Sequence, residues 1–157
     1  MMNESTSPEA RGHRRAQPSR STGQPAGRKP VPRWFPIFMT LFGAICALIA
    51  LAHILLGTRA IPGVPPMPAT IDSEDRFYAS LFFGFGLAVI WCAREIRERH
   101  RELLALMAVF ALGGLARILS MLMVGLPHPL FIGLTAVELL LPLAVWIVLS
   151  RTVGRTS

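Results

Sequence analysis

The sequence predicts an all-α protein: a four-transmembrane-helix bundle with a disordered N-terminal tail. Three observations carry that expectation. The chain has 157 residues, 52% of them hydrophobic and only 16% charged, whereas an average soluble domain is about a quarter charged. Four stretches of membrane-crossing length follow a polar leader. The basic residues cluster at the ends of those stretches, mostly on alternate connections. A soluble enzyme is excluded by this balance, and two cysteines are too few for a disulfide-built secreted module.

The elements follow in order. Residues 1–32 contain five Pro, three Gly and no aromatic residue; such a segment cannot bury enough apolar surface to offset its ordering entropy, so a disordered basic tail is expected. A membrane domain is expected over residues 33–151, with spans at about 34–57, 76–93, 103–125 and 130–150, and a short tail at 152–157. Crossing a hydrocarbon layer of roughly 30 Å takes about 20 apolar residues. Trp34 to Thr58 supplies 25 positions without formal charge, and Phe77 to Ala93 supplies 17. The third run, Leu103 to Gly125, holds one charge, Arg117, and the fourth, Leu130 to Ser150, holds Glu138.

The third run still inserts. It contains 11 Leu, Ile, Phe or Val residues, contributing about 3 to 6 kcal/mol against roughly 2.5 to 3.5 kcal/mol for a central Arg. A single helix over Ile118 to Val137 would put Leu126-Pro127-His128-Pro129 at mid-membrane, where freed backbone groups find no water. Those four residues therefore read as a tight connection. The connection from Gly57 to Asp75, with Pro62, Pro65, Pro66 and Pro68, reads as extended and irregular, with Asp72 or Ser73 capping the second helix. Residues 94–102 lack Gly and Pro, and the pairs Arg94/Glu98 and Glu95/Arg99 predict helical extension beyond the membrane.

Orientation follows from 15 Arg and one Lys. With the N-terminus inside, 13 of these basic residues are cytoplasmic and only Arg59 and Arg76 are external. The positive-inside rule then places both termini in the cytoplasm.

Arg117 lies eight residues before Gly125, and Glu138 eight residues after Leu130. At 1.5 Å per residue both sit about 12 Å from the outer boundary, on consecutive helices. A lone charge at that depth is costly, so a salt bridge is expected. Pro142 cannot donate to the Glu138 carbonyl and should kink the fourth helix there. Gly84 falls at the same level and is expected to leave room for the guanidinium. Ser120 lies one turn outward, while Arg76, Tyr78 and Ser80 extend a polar path to the surface. The series Ser80, Gly84, Ala88, Cys92 reads as a packing face.

Other chemistry is sparse. His53 is a solitary membrane histidine, His128 a turn residue, and Cys46 and Cys92 packing residues at different depths. No metal-ligand spacing, nucleotide loop or nucleophile–base pair is present, so no metal and no cofactor is expected. The basic tail lacks interleaved aromatics, which argues against nucleic acid as a partner.

From Asp72 onward the sequence resembles a bacterial four-helix integral membrane family catalogued as a domain of unknown function. The resembling elements are Glu74-Asp75-Arg76-Phe77-Tyr78, Gly84 and Gly86, Arg117 with Ser120, the Gly125-Leu126-Pro127 turn and Glu138, over roughly residues 35–150. The resemblance implies the four-helix membrane fold and supplies no activity. The expectation is a protein of the bacterial inner membrane, in contact with the lipid bilayer: a non-enzymatic scaffold, or a binder of a small amphipathic or lipid-like ligand at Arg117 and Glu138. A proton-coupled oligomeric exporter and a membrane enzyme acting on a quinone or lipid are the alternatives, and a homo-oligomer stays open.

Overall fold

The computed structural model describes residues 30–153, so most of the expected disordered tail and the last four residues lie outside the described part. Four helices follow one another: α1 (Trp34–Leu56), α2 (Ala69–Arg94), α3 (His100–Val124) and α4 (Pro129–Thr152). Each is long and apolar enough to cross a membrane. No strand occurs among the described residues. The chain is thus a multi-pass, all-α membrane protein.

The helix ends have local causes. Pro36 sits in the first turn of α1, where its missing N–H costs nothing, and its carbonyl accepts from the Thr40 hydroxyl at 2.9 Å. Gly57 ends α1 with φ of 61° and opens a short 3₁₀ turn, Gly57–Ala60. Gly125 ends α3 with φ of 114°. Pro129 is the first residue of α4, and the ring nitrogen of His128 accepts from the Leu130 N–H at 3.3 Å.

The helices pack antiparallel, as the paired residues show: Gly43 with Gly86 and His53 with Asp75 between α1 and α2, Phe85 with Phe110 between α2 and α3, Arg117 with Glu138 between α3 and α4. The α1–α2 contact is backbone on backbone. A Cβ on Gly86 would lie 2.6 Å from the Gly43 carbonyl oxygen and 2.8 Å from the Ala47 nitrogen. In lipid, where apolar side chains gain little by leaving the solvent, such close approach is what holds helices together. At Gly114 of α3 the close contact is with α4 side chains, the Glu138 Cβ lying 3.0 Å and the Leu139 Cδ2 2.9 Å from where its own Cβ would be.

Phe42, Phe85 and Phe110 bridge α1, α2 and α3, with Phe85 and Phe110 stacked at 5.5 Å between ring centres and Phe42 edge-on to Phe110. The densest core lies toward the end that carries both termini. Phe35, Met39, Val89, Cys92, Leu103, Met107, Val145 and Leu149 are buried there, drawn from all four helices. Beyond Gly114, α3 buries no residue, and Leu122 and Val124 are more than three-quarters exposed. In a membrane that surface faces lipid. Trp34, Trp91 and Trp146, all exposed, lie near the terminal end, as residues of a membrane–water interface do.

Three local expectations are corrected. The segment after α2 does not continue as helix: residues 95–99 form a turn. Ile96 is the reason, since it is buried in the terminal core and pulls the chain back beneath the bundle. The Arg99–Glu95 ion pair forms nonetheless, and the Arg99 guanidinium lies 3.7 Å over the Trp91 ring while donating to the Trp91 carbonyl. Helix α2 starts at Ala69, after Pro68, rather than at a cap formed by Asp72 or Ser73. Finally, Ser80, Gly84, Ala88 and Cys92 are not one packing face. Cys92 is buried, but Ser80 and Gly84 are exposed, and nothing lies within 4 Å of a Cβ built on Gly84. Gly86, two residues on and so on another side of the helix, makes the contact instead.

Candidate functional site

Two polar clusters are set into the apolar bundle, one in each hairpin. The first lies where α1 meets α2. Asp72 and Arg76 are one turn apart on α2, and the Arg76 Nε donates to the Asp72 Oδ2 at 2.8 Å. The Thr58 backbone N–H donates to the other Asp72 oxygen at 3.0 Å. The Arg76 Nη1 donates to the Ile54 and Leu55 carbonyls, satisfying acceptors that α1 leaves open at its end. Alongside, His53 Nδ1 lies 3.1 Å from Asp75 Oδ2. All these groups fasten the hairpin, and each has a structural partner.

The second cluster is the Arg117–Glu138 pair. Gly114, one turn before Arg117, brings the α4 backbone close enough for the side chains to meet. The Arg117 Nε lies 3.0 Å from Oε1 and 2.9 Å from Oε2 of Glu138. Glu138 is buried at 9% exposure, whereas the Arg117 side chain keeps 39%. Oε2 is sealed off and has the ion-pair contact but no aligned hydrogen bond.

The guanidinium therefore spends one edge on Glu138. Among the described residues its two Nη groups have no hydrogen-bond partner. Beside Arg117 is a recess of about 90 Å³, lined by Arg117, Ser120, Met121, Pro127 and Phe131. The Phe131 ring centre is 5.4 Å from the Arg117 Cζ. The recess runs from Arg117 to the α3–α4 connection at Pro127. Its chemistry is a cation and a hydroxyl set in an apolar wall.

Of the residues expected at one site, Arg117 pairs with Glu138 and lines the recess with Ser120. Arg76 does not join them, because Asp72 and the α1 carbonyls hold it in the other hairpin. Tyr78 is exposed on the bundle surface, and the Ser80 hydroxyl donates to the Phe77 carbonyl at 2.7 Å, so neither extends a path from Arg117. Gly84 faces open space rather than the guanidinium. Helix α4 runs unbroken through Pro142. Thr135 is buried, its hydroxyl turned back to the Phe131 carbonyl.

Sequence reasoning misses the partner of His53 and the part played by Phe131. The first was within reach, since Asp75 lies in the first two turns of α2 and His53 in the last turn of α1, which the connection between them brings side by side. Among the described residues no three His, Cys, Asp or Glu side chains gather closely enough to hold a metal ion.

The chain matches a known family model. The family described as "Domain of unknown function (DUF4345)" covers residues 34–149, from the start of α1 almost to the end of α4. The chain belongs to that family. No curated protein and no solved structure matches it.

Proposed function

We propose that this DUF4345 protein resides in the inner membrane of a bacterium, termini in the cytoplasm, and binds a small amphipathic or lipid-like anion at Arg117. The observation that supports the reading is the divided guanidinium: one edge satisfied by Glu138, the other open to a recess with apolar walls. A donor left without a partner in lipid is costly, so two unpartnered Nη groups facing one recess favour a polar occupant there. An anionic head at the Nη groups would satisfy them, and its apolar tail would lie along the lipid-facing side chains of α3. The distribution of basic residues supports the orientation.

Gentle extraction followed by native mass spectrometry tests the binding. The expected result is a bound species of a few hundred daltons, lost when Arg117 is replaced by Gln; bare wild-type protein under conditions that preserve lipid adducts on a control would overturn the reading. Proton-driven efflux in vesicles that vanishes in Glu138→Gln would favour the exporter instead. For topology, Thr70→Cys and Glu98→Cys place thiols on exposed residues of opposite ends, against a background of buried Cys46 and Cys92. An impermeant maleimide applied to whole cells should label the first and spare the second. Labelling of both from outside would refute the four-span orientation.

A further inference from the structure

The charge balance at the pair constrains how an anion binds there. Around Glu138, α3 presents Arg117 as the partner cation. From α1 the titratable group in electrostatic reach is the Cys46 thiol, which is buried and carries no charge in that form. On α2 the polar groups Asp72, Asp75 and Arg76 are committed to the other cluster with His53. Among the described residues the site therefore holds one positive and one negative charge, and the sum is zero. An anion entering the recess makes the sum minus one, inside the hydrocarbon layer, where net charge is strongly disfavoured.

A proton on Glu138 restores neutrality. It also gives Oε2, which now lacks an aligned donor, a hydroxyl of its own to direct. We infer that anion binding at the free Nη edge of Arg117 is linked to the uptake of one proton by Glu138, so that the ligand's oxyanion takes over from the Glu138 carboxylate as the counter-charge of the guanidinium. The ligand class follows from the recess. Its volume of about 90 Å³ takes a singly charged head of a few heavy atoms, such as a carboxylate, rather than a full phospholipid headgroup, with the remainder apolar.

No covalent bond changes; one proton moves from the aqueous phase to a Glu138 oxygen as the oxyanion arrives. The sign follows from linkage. Where the free site is ionised and the occupied site protonated, affinity falls about tenfold for each unit of pH increase. Outside that window it is flat.

This inference rests on the binding reading above, and the experiment separates the two. Dodecyl sulfonate is a suitable probe, since its head stays ionised throughout and any proton taken up comes to the protein. Binding to the full-length protein in nanodiscs is measured calorimetrically at about pH 5 and about pH 8, in two buffers of different ionisation enthalpy. For the wild type, tighter binding at the lower pH and uptake approaching one proton per probe are expected. Glu138→Gln, neutral at every pH, should bind with an affinity that does not change with pH and at least matches the wild type at the lower one. Arg117→Gln/Glu138→Gln should bind nothing while keeping its helical circular dichroism. Wild-type binding with no pH dependence and no proton uptake would overturn the linkage and leave the site intact. No binding by wild type or Glu138→Gln at either pH would overturn both.

Discussion

Gly86→Val should lower the midpoint of thermal unfolding in detergent by roughly 5 to 10 °C, read by size exclusion after heating and by helical circular dichroism. The new Cβ would lie 2.6 Å from the Gly43 carbonyl oxygen and 2.8 Å from the Ala47 nitrogen. Both are backbone atoms in a helix and cannot step aside as a side-chain tip can. The two helices must move apart, and the separation forfeits contacts along the interface as well as at the glycine. Loss on the order of 3 kcal/mol, the upper end for forced overpacking, is expected. Gly43→Val should behave alike, because its Cβ would meet the Gly86 carbonyl at 2.6 Å. Gly84→Ala and Gly133→Ala are the contrast. Neither position has an atom within 4 Å of the added methyl group, and both lie in helices. They should raise stability by up to about 1 kcal/mol through backbone preference. If Gly86→Val and Gly84→Ala gave the same midpoint, the α1–α2 interface described here would be wrong.

The second large effect concerns the ion pair. Arg117→Met should destabilise the protein by about 3 kcal/mol, because a buried carboxylate loses the counter-charge it is paired with. The low end of the range for buried pairs applies, since Arg117 is itself more than a third exposed and Glu138 can take a proton. Joining that change to Glu138→Leu should recover most of the loss, and an apolar replacement of both partners can exceed the original stability. Binding should behave differently. Whatever stability returns, the double variant has no guanidinium to offer and stays empty. A variant with both restored stability and retained ligand would remove Arg117 from the binding site.

The level of Arg117 and Glu138 along their helices was legible in the sequence; the direction of residues around a helix was less so. Arg117 and Glu138 meet because both lie eight residues from a short connection, and counting along two antiparallel helices is enough to align them. Gly84 and Gly86 show the opposite case. They differ by two residues, about 200° of helix rotation, so only the neighbouring helix decides which one packs. With small residues on several sides of α2, the sequence offers a choice that Ala47 and Gly43 settle. Arg76 was expected to extend a polar path from Arg117, and its actual role was hidden, because the α1 carbonyls that hold it are backbone atoms with no signature in side-chain identity. The turn at residues 95–99 was hidden for a related reason. Its charges favour helix locally, and burial of the single residue Ile96 outweighs them.

Arg117 and Glu138 are 21 positions apart in the chain. While the polypeptide is being made, the guanidinium leaves the ribosome well before its partner. An α3 helix released into lipid at that moment would carry a bare positive charge, and only its own apolar residues would favour staying there. Once α4 follows, the hairpin is neutral. Assembly of this half of the protein is therefore a paired event, in which the later helix completes the earlier one.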